Sequence, residues 1–219
     1  MKIEWLAHAC FLINNDAGQR ILTDPYYSGA YGGMIEHEPV KSEVDIVTVS
    51  HKHADHAATS ELKGKPSIVD TVGEHTIKGV GIIGIKTLHD DLGGAQRGSN
   101  IMFEIRTEGV NFLHLGDLGH ILTDNQISQI KGDVHVLFCP VGGIATIGPD
   151  QAHRTIQQLS PSIVIPMHYK TDKIKFNFKP VDEFLDTTLP VRKLNSSQYI
   201  LSEEDLISPT EILVFDPSH

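Results

Sequence analysis

Residues 51–56 read His51-Lys52-His53-Ala54-Asp55-His56 and follow directly on an apolar run, Val44-Asp45-Ile46-Val47-Thr48-Val49-Ser50. Three imidazoles and a carboxylate this close together supply the nitrogen and oxygen donors that Zn²⁺, Mn²⁺ or Fe prefer. With 13 His and 16 Asp in 219 residues, chance yields roughly 0.003 such H-x-H-x-D-H windows in the whole chain. A solvated turn that happens to be rich in His is the competing explanation, and the partners found elsewhere in the chain count against it. The cluster demands a strand that stops near Ser50 and a chain that turns at once, so that the imidazoles converge.

The surrounding pattern is that of an α/β protein. Short apolar runs rich in β-branched residues predict strands over 2–6, 9–14, 20–23, 44–49, 67–70, 81–87, 100–106, 110–115, 134–138 and 162–166. Asn15-Asp16-Ala17-Gly18 and Glu108-Gly109 read as hairpin turns between neighbouring strands. The strongest helix is 149–159, with Pro149 and Asp150 at its start and Pro161 beyond its end. Weaker helical patterns cover 124–130 and 180–185, with a turn at 203–206. No internal repeat or Pro/Ser linker divides the chain, so a single domain over 1–219 is expected. Two Gly-rich loops, Tyr26–Gly33 and Leu92–Ser99, are either plain connections or substrate-contacting segments.

Composition narrows the class of function. At 40% hydrophobic and 21% charged, the chain suits a soluble globular protein with a sizeable core. A formal net charge of −10 disfavours nucleic acid and anionic membranes as partners. No apolar run approaches the ~18 residues of a membrane span, and Glu4 and His8 interrupt the N-terminal stretch where a signal peptide needs a clean apolar core. Cytoplasmic residence and a small-molecule substrate are the expectations. Cys10 and Cys139 show no metal-finger or C-x-x-C spacing and read as buried, inert thiols.

Further metal donors stand at predicted strand ends: His89 after 81–87, Asp117 after 110–115, and His168 after 162–166. Asp117, preceded by Gly116, is suited to approach two cations and bridge them. These residues, with Trp5-Leu6-Ala7-His8-Ala9, Thr23-Asp24-Pro25-Tyr26, Arg97-Gly98-Ser99-Asn100, Pro140-Val141-Gly142-Gly143 and Pro166-Met167-His168-Tyr169, resemble the metallo-β-lactamase superfamily. The text is similar to its small, insert-free branch of lactonase-like and N-acyl-phosphatidylethanolamine phospholipase D-like hydrolases. The resemblance runs from about residue 3 to 170, and the last fifty residues add nothing specific to it.

That resemblance implies a four-layer αββα sandwich of two mixed sheets with helices outside and the site along one edge. It implies two divalent metal ions, with Zn first and Mn or Fe as alternatives. His51, His53 and His89 would hold one, Asp55, His56 and His168 the other, and Asp117 would bridge. The implied reaction is hydrolysis of a small ester, lactone or phosphodiester by water shared between the metals, with Asp55 and Asp117 the catalytic carboxylates. Around these, Asp24 either orients a ligating imidazole or forms a turn before Pro25. His8 either contacts substrate or metal-held water, or is a core histidine. Arg97 either clamps an anionic group or pairs with Asp90 or Asp91.

Among the other histidines, His37, His75, His135, His153 and His219 read as surface residues. His114 is expected to face away from the site, and His120 is left outside it. Gly142-Gly143 either approaches substrate or shapes the entry to the helix. Two other activities fit the same donors: a di-iron redox protein, and a metal-binding module without turnover. The redox reading wants a flavin domain and an acidic ligand in the first cluster, and neither is evident here.

Overall fold

Period-two burial is clearest at the N-terminus. In β1 (Lys2–Ala7) Ile3 and Trp5 face one way, and in β2 (Cys10–Asn14) Phe11 and Ile13 join them while Cys10 and Leu12 face the other. These are the first strands of two mixed β-sheets in a computed structural model that describes residues 1–207 and 209–218. The chain continues through β3 (Arg20–Thr23), α1 (Ala30–Gly33), β4 (Ile46–Thr48), β5 (Ser67–Val69), β6 (Gly73–Ile77), β7 (Val80–Leu88), β8 (Ser99–Thr107) and β9 (Val110–His114). Then come α2 (Asp124–Ile127), β10 (Val136–Pro140), α3 (Pro149–Leu159), β11 (Ile163–Met167), α4 (Val181–Phe184), β12 (Val191–Lys193), β13 (Gln198–Ile200) and β14 (Glu211–Val214).

One sheet has the order β13-β1-β2-β3-β4-β5 and the other β12-β14-β11-β10-β9-β8-β7-β6. Their inner faces meet where the Phe11 ring of the first packs 4.4 Å from Phe138 of the second. A pair like this contributes about 0.5–1.5 kcal/mol beyond its buried area. The outer face of the six-stranded sheet, with Leu6, Leu12, Leu22 and Val47, packs against Tyr26, Ile35, Val40 and Ile174. That outer layer is loop with the single turn of α1. On the larger sheet α3 contributes Ala152 and Ile156 to the core. No helix among the described residues is long and apolar enough to cross a membrane.

Both anticipated hairpin turns are present: Gly18 at φ 84° links β2 to β3, and Glu108 at φ 50° with Gly109 at φ 80° links β8 to β9. Helix α3 has the anticipated limits, whereas α2 and α4 are shorter than their patterns. Four strands were not anticipated. β6, β12 and β13 lie at sheet edges and are largely exposed, so no buried face imposes an alternating pattern. The last, β14, carries a plain apolar signal in Ile212-Leu213-Val214-Phe215. Both cysteines are free and buried, as expected.

Candidate metal centre

Six of the residues singled out sit one to three residues beyond a strand end: His8 after β1, Asp24 after β3, His51 after β4, His89 after β7, Asp117 after β9 and His168 after β11; His53, Asp55 and His56 follow on the same loop after His51. His8, Asp24 and His168 take left-handed backbone angles, φ 55°, 38° and 54°. For residues with a Cβ this costs roughly 1–2 kcal/mol each, and such strain gathers at functional sites. Glycines let the loops close. A Cβ on Gly116 would lie 2.4 Å from Asn100 Oδ1, one on Gly119 2.3 Å from the Asp90 nitrogen, and one on Gly142 2.1 Å from the His168 carbonyl oxygen. Gly142 thus leaves room for the close passage of the His168 loop.

Asp117 is the hub. It is 1% exposed, and its backbone N–H donates to Asn100 Oδ1, which fixes the loop. Its Oδ2 lies 3.1 Å from His89 Nε2, 3.3 Å from His168 Nε2 and 3.8 Å from His51 Nε2; its Oδ1 lies 3.2 Å from His56 Nε2. Donor atoms within 4.8 Å of one another form three overlapping sets: His51/His53/His89, His51/His56/Asp117, and His8/Asp55/His56/His168. His56 Nε2, Asp117 Oδ1 and both ring nitrogens of His168 are buried without a hydrogen-bond partner among the described residues. Buried polar atoms are nearly always paired. Orphaned nitrogens converging on a carboxylate are what a cation-binding cage presents, so the donor set fits a metal.

Asp24 sets the imidazole tautomers. Its Oδ1 accepts from the Ser50 N–H at 2.7 Å, and its Oδ2 accepts from the Ser50 hydroxyl at 2.6 Å and from His56 Nδ1 at 2.8 Å. His51 Nδ1 in turn donates to Ser50 Oγ at 2.9 Å. With Nδ1 engaged in each ring, it is Nε2 that faces the centre, a lone-pair donor whenever the imidazole is neutral. Asp24 thus hydrogen-bonds both Ser50 and His56, the geometry that the orienting reading requires. His114 differs from expectation. It shares the inward face of β9 with Phe112, lies 3.9 Å from Asp24 Oδ2, and donates from Nε2 to the Ala9 carbonyl. It therefore sits beneath the centre rather than turned away.

Burial disfavours charge throughout the cluster and holds His51 down to about 3 and His8 to about 4. At His56 burial also works against charge, but the carboxylates of Asp117, Asp55 and Asp24 outweigh it and raise its pKa well above the ordinary value. For Asp117 burial is outweighed by the imidazoles of His168 and His56, so it stays ionised. Asp55 is held ionised against burial by His56 and by a hydrogen bond from His8.

Beside the centre lies a cavity of about 260 Å³. Asp55 faces it, with Oδ2 3.2 Å from His8 Nε2 and Oδ1 accepting from the Tyr31 hydroxyl at 2.9 Å. His8 is buried and lies against Asp55, within one of the three donor groups. Tyr31, Phe176 and Phe178 line the cavity and were missed in the sequence; a lone Tyr in Gly29-Ala30-Tyr31-Gly32-Gly33 was the one available signal. Arg97 lines it too, and only its backbone N–H meets Asp90.

The remaining histidines divide. His37 is buried beside Tyr26 and Thr171, contrary to the surface assignment, because the 26–44 segment folds over the sheet. His75, His135 and His153 are half-buried. His120 accepts from the Leu88 N–H and donates to the Ile121 carbonyl, a local staple outside the site. His219 lies outside the described residues.

Residues 2–168 match the model of the beta-lactamase superfamily domain family. A UPF0173 metal-dependent hydrolase of Methanoculleus marisnigri is 30% identical over 217 residues, which covers 88% of this chain and 92% of the relative. A UPF0173 metal-dependent hydrolase of Thermococcus kodakarensis is 29% identical over 195 residues, 78% of this chain and 85% of its own. A crystal structure from Thermotoga maritima, of the metallo-beta-lactamase superfamily, matches with TM-score 0.80 at 36% identity, covering 98% of this chain and 99% of that one.

Proposed function

The chain belongs to the beta-lactamase superfamily, and from that premise we propose a metal-dependent hydrolase whose centre holds two divalent cations, Zn first among them. Its substrate is a small ester, lactone or phosphodiester. The observation that supports this most is the Asp117 carboxylate set among the Nε2 atoms of His51, His56, His89 and His168. His51, His53 and His89 would hold one cation, and Asp55, His56 and His168 the other, with Asp117 reaching both. Bound cations of this kind bring the pKa of water toward ~7 and stabilise negative charge on the scissile group.

The chain's own residues supply the rest. Asp24 and Ser50 hold His51 and His56 in the binding tautomer. Asp55, ionised and facing the cavity, takes the proton released by the attacking water and returns it to the leaving group. Tyr31 donates to Oδ1 of Asp55 and fixes the plane of that carboxylate. The phenyl rings of Phe176 and Phe178 keep one wall of the cavity dry.

The testing experiment is a panel of lactones, phosphodiesters and esters offered to the metal-loaded protein and to Asp55→Asn. Turnover in the variant is expected to fall by about 10²–10⁴. If turnover and metal content both survive, Asp55 has neither role. Iron absorbance without any hydrolysis would move the site to the redox alternative.

Proton release gives an independent check. His56 has a raised pKa and keeps its proton at pH 7 in the metal-free protein, whereas ligation needs the neutral imidazole. Zinc binding at pH 7 is therefore expected to release protons, with His56 among their sources. Titration calorimetry in buffers of different ionisation heat reads this directly, and identical heats in all buffers would contradict it.

A further inference from the structure

The cavity beside the centre has a chemical character of its own. Phe176, Phe178, Ile144 and Ala145 give it an apolar wall, Tyr31 a hydroxyl, and Arg97 the only Lys or Arg side chain among the described residues that line it. The loop that carries Arg97 is no loose connection. Asp90, 5% exposed, accepts four backbone N–H groups: Leu92 and Gly94 on Oδ1, Gln96 and Arg97 on Oδ2, at 2.7–2.9 Å. Those donors, led by the Arg97 N–H, hold the Asp90 carboxyl at about 2.

Asp90 therefore fixes the Arg97 backbone and does not pair with its side chain. Among the described residues the guanidinium has no carboxylate partner, and its Nη1 is 3.5 Å from the Gln96 side-chain oxygen. A guanidinium on a tethered loop, without a carboxylate partner beside a largely apolar cavity, is an anion receptor whose backbone is already ordered. In a chain of net charge −10, an anion gains no help from the overall field and depends on local cations, among which this guanidinium is supplied by the chain itself. The volume of about 260 Å³ falls below the ~300–1,000 Å³ of sites for drug-sized ligands.

We propose that Arg97 makes this hydrolase selective for small monoanionic substrates, in which an aromatic or branched apolar group sits against Phe176, Phe178 and Ile144 and a carboxylate or sulfonate pairs with the guanidinium. The inference rests on the hydrolase reading for the reaction, but its recognition half is testable without turnover. Benzenesulfonate, a poor metal ligand, and methyl phenyl sulfone, its uncharged near-isostere, are the probes. Dissociation constants by ligand-observed NMR on the metal-loaded protein are expected to favour benzenesulfonate at least tenfold. Arg97→Gln should abolish that preference, and Phe178→Leu should weaken both probes together while retaining it.

Equal binding of the two probes to the wild type would overturn the proposal. So would a preference that survives in Arg97→Gln, because the metals would then be the anion receptor. Hydrolysis of 4-acetoxybenzoate beside phenyl acetate adds the catalytic half, with a KM at least tenfold higher for the charged ester in R97Q and kcat unchanged. An intact probe preference with neither ester cleaved would count against the hydrolytic reading and leave the receptor standing.

Discussion

Asp117→Asn is expected to empty the centre. The exchange keeps the side chain's shape but removes the negative charge that faces the Nε2 atoms of His51, His56, His89 and His168 within 3.8 Å. Loss of a ligand orienter alone costs 10–100-fold in metal affinity, and a shared anionic ligand costs more. We expect the variant to lose most of its metal on dialysis at pH 7 and its turnover to fall by about 10³ or more. Metal-dependent stabilisation should vanish with it: a wild type held at about a thousandfold excess over its dissociation constant gains about 4 kcal/mol that the variant does not. Elemental analysis and thermal unfolding with and without chelator measure both effects. A variant that keeps its full metal complement would remove Asp117 from the centre.

Gly142→Ala is the second large effect, and it acts through backbone rather than charge. The new methyl would lie 2.1 Å from the His168 carbonyl oxygen and 3.1 Å from the Tyr169 Cα, neither of which can rotate away. His168 is already held at φ 54°, so the loop has little freedom to absorb the clash. Overpacking of this kind costs about 1–3 kcal/mol and occasionally more; with both neighbours rigid we expect the upper end, together with reduced metal content as His168 shifts. Gly143→Ala is the control. There the nearest atom is the flexible Lys179 side chain at 3.6 Å, so only the φ of 63° is penalised, by about 1–2 kcal/mol. Urea unfolding of both variants reads the difference, and a Gly142→Ala midpoint equal to wild type would refute the close approach.

What the sequence made legible was local and chemical. The H-x-H-x-D-H cluster, the strand ends bearing His89, Asp117 and His168, and the two hairpin turns each depend on a few adjacent residues whose chemistry admits few other uses. Asp24 was only half legible, because an Asp before Pro25 serves a turn equally well; its hydrogen bonds to Ser50 and His56 depend on a loop distant in sequence. Tyr31, Phe176 and Phe178 were illegible for a different reason. Aromatic residues on loops have no period, and their convergence depends on the 26–44 and 170–178 segments crossing the same end of the sandwich. His114 and His37 were misplaced by the same kind of tertiary effect, and the exposed edge strands had no buried face to write a pattern.

The central claim is that two cations flank the Asp117 carboxylate. Anomalous diffraction from crystals of the metal-loaded protein, collected across the zinc absorption edge, tests it most directly. Two peaks are predicted, one among His51, His53 and His89 and one among Asp55, His56 and His168. A single peak, or none at these residues, would contradict it.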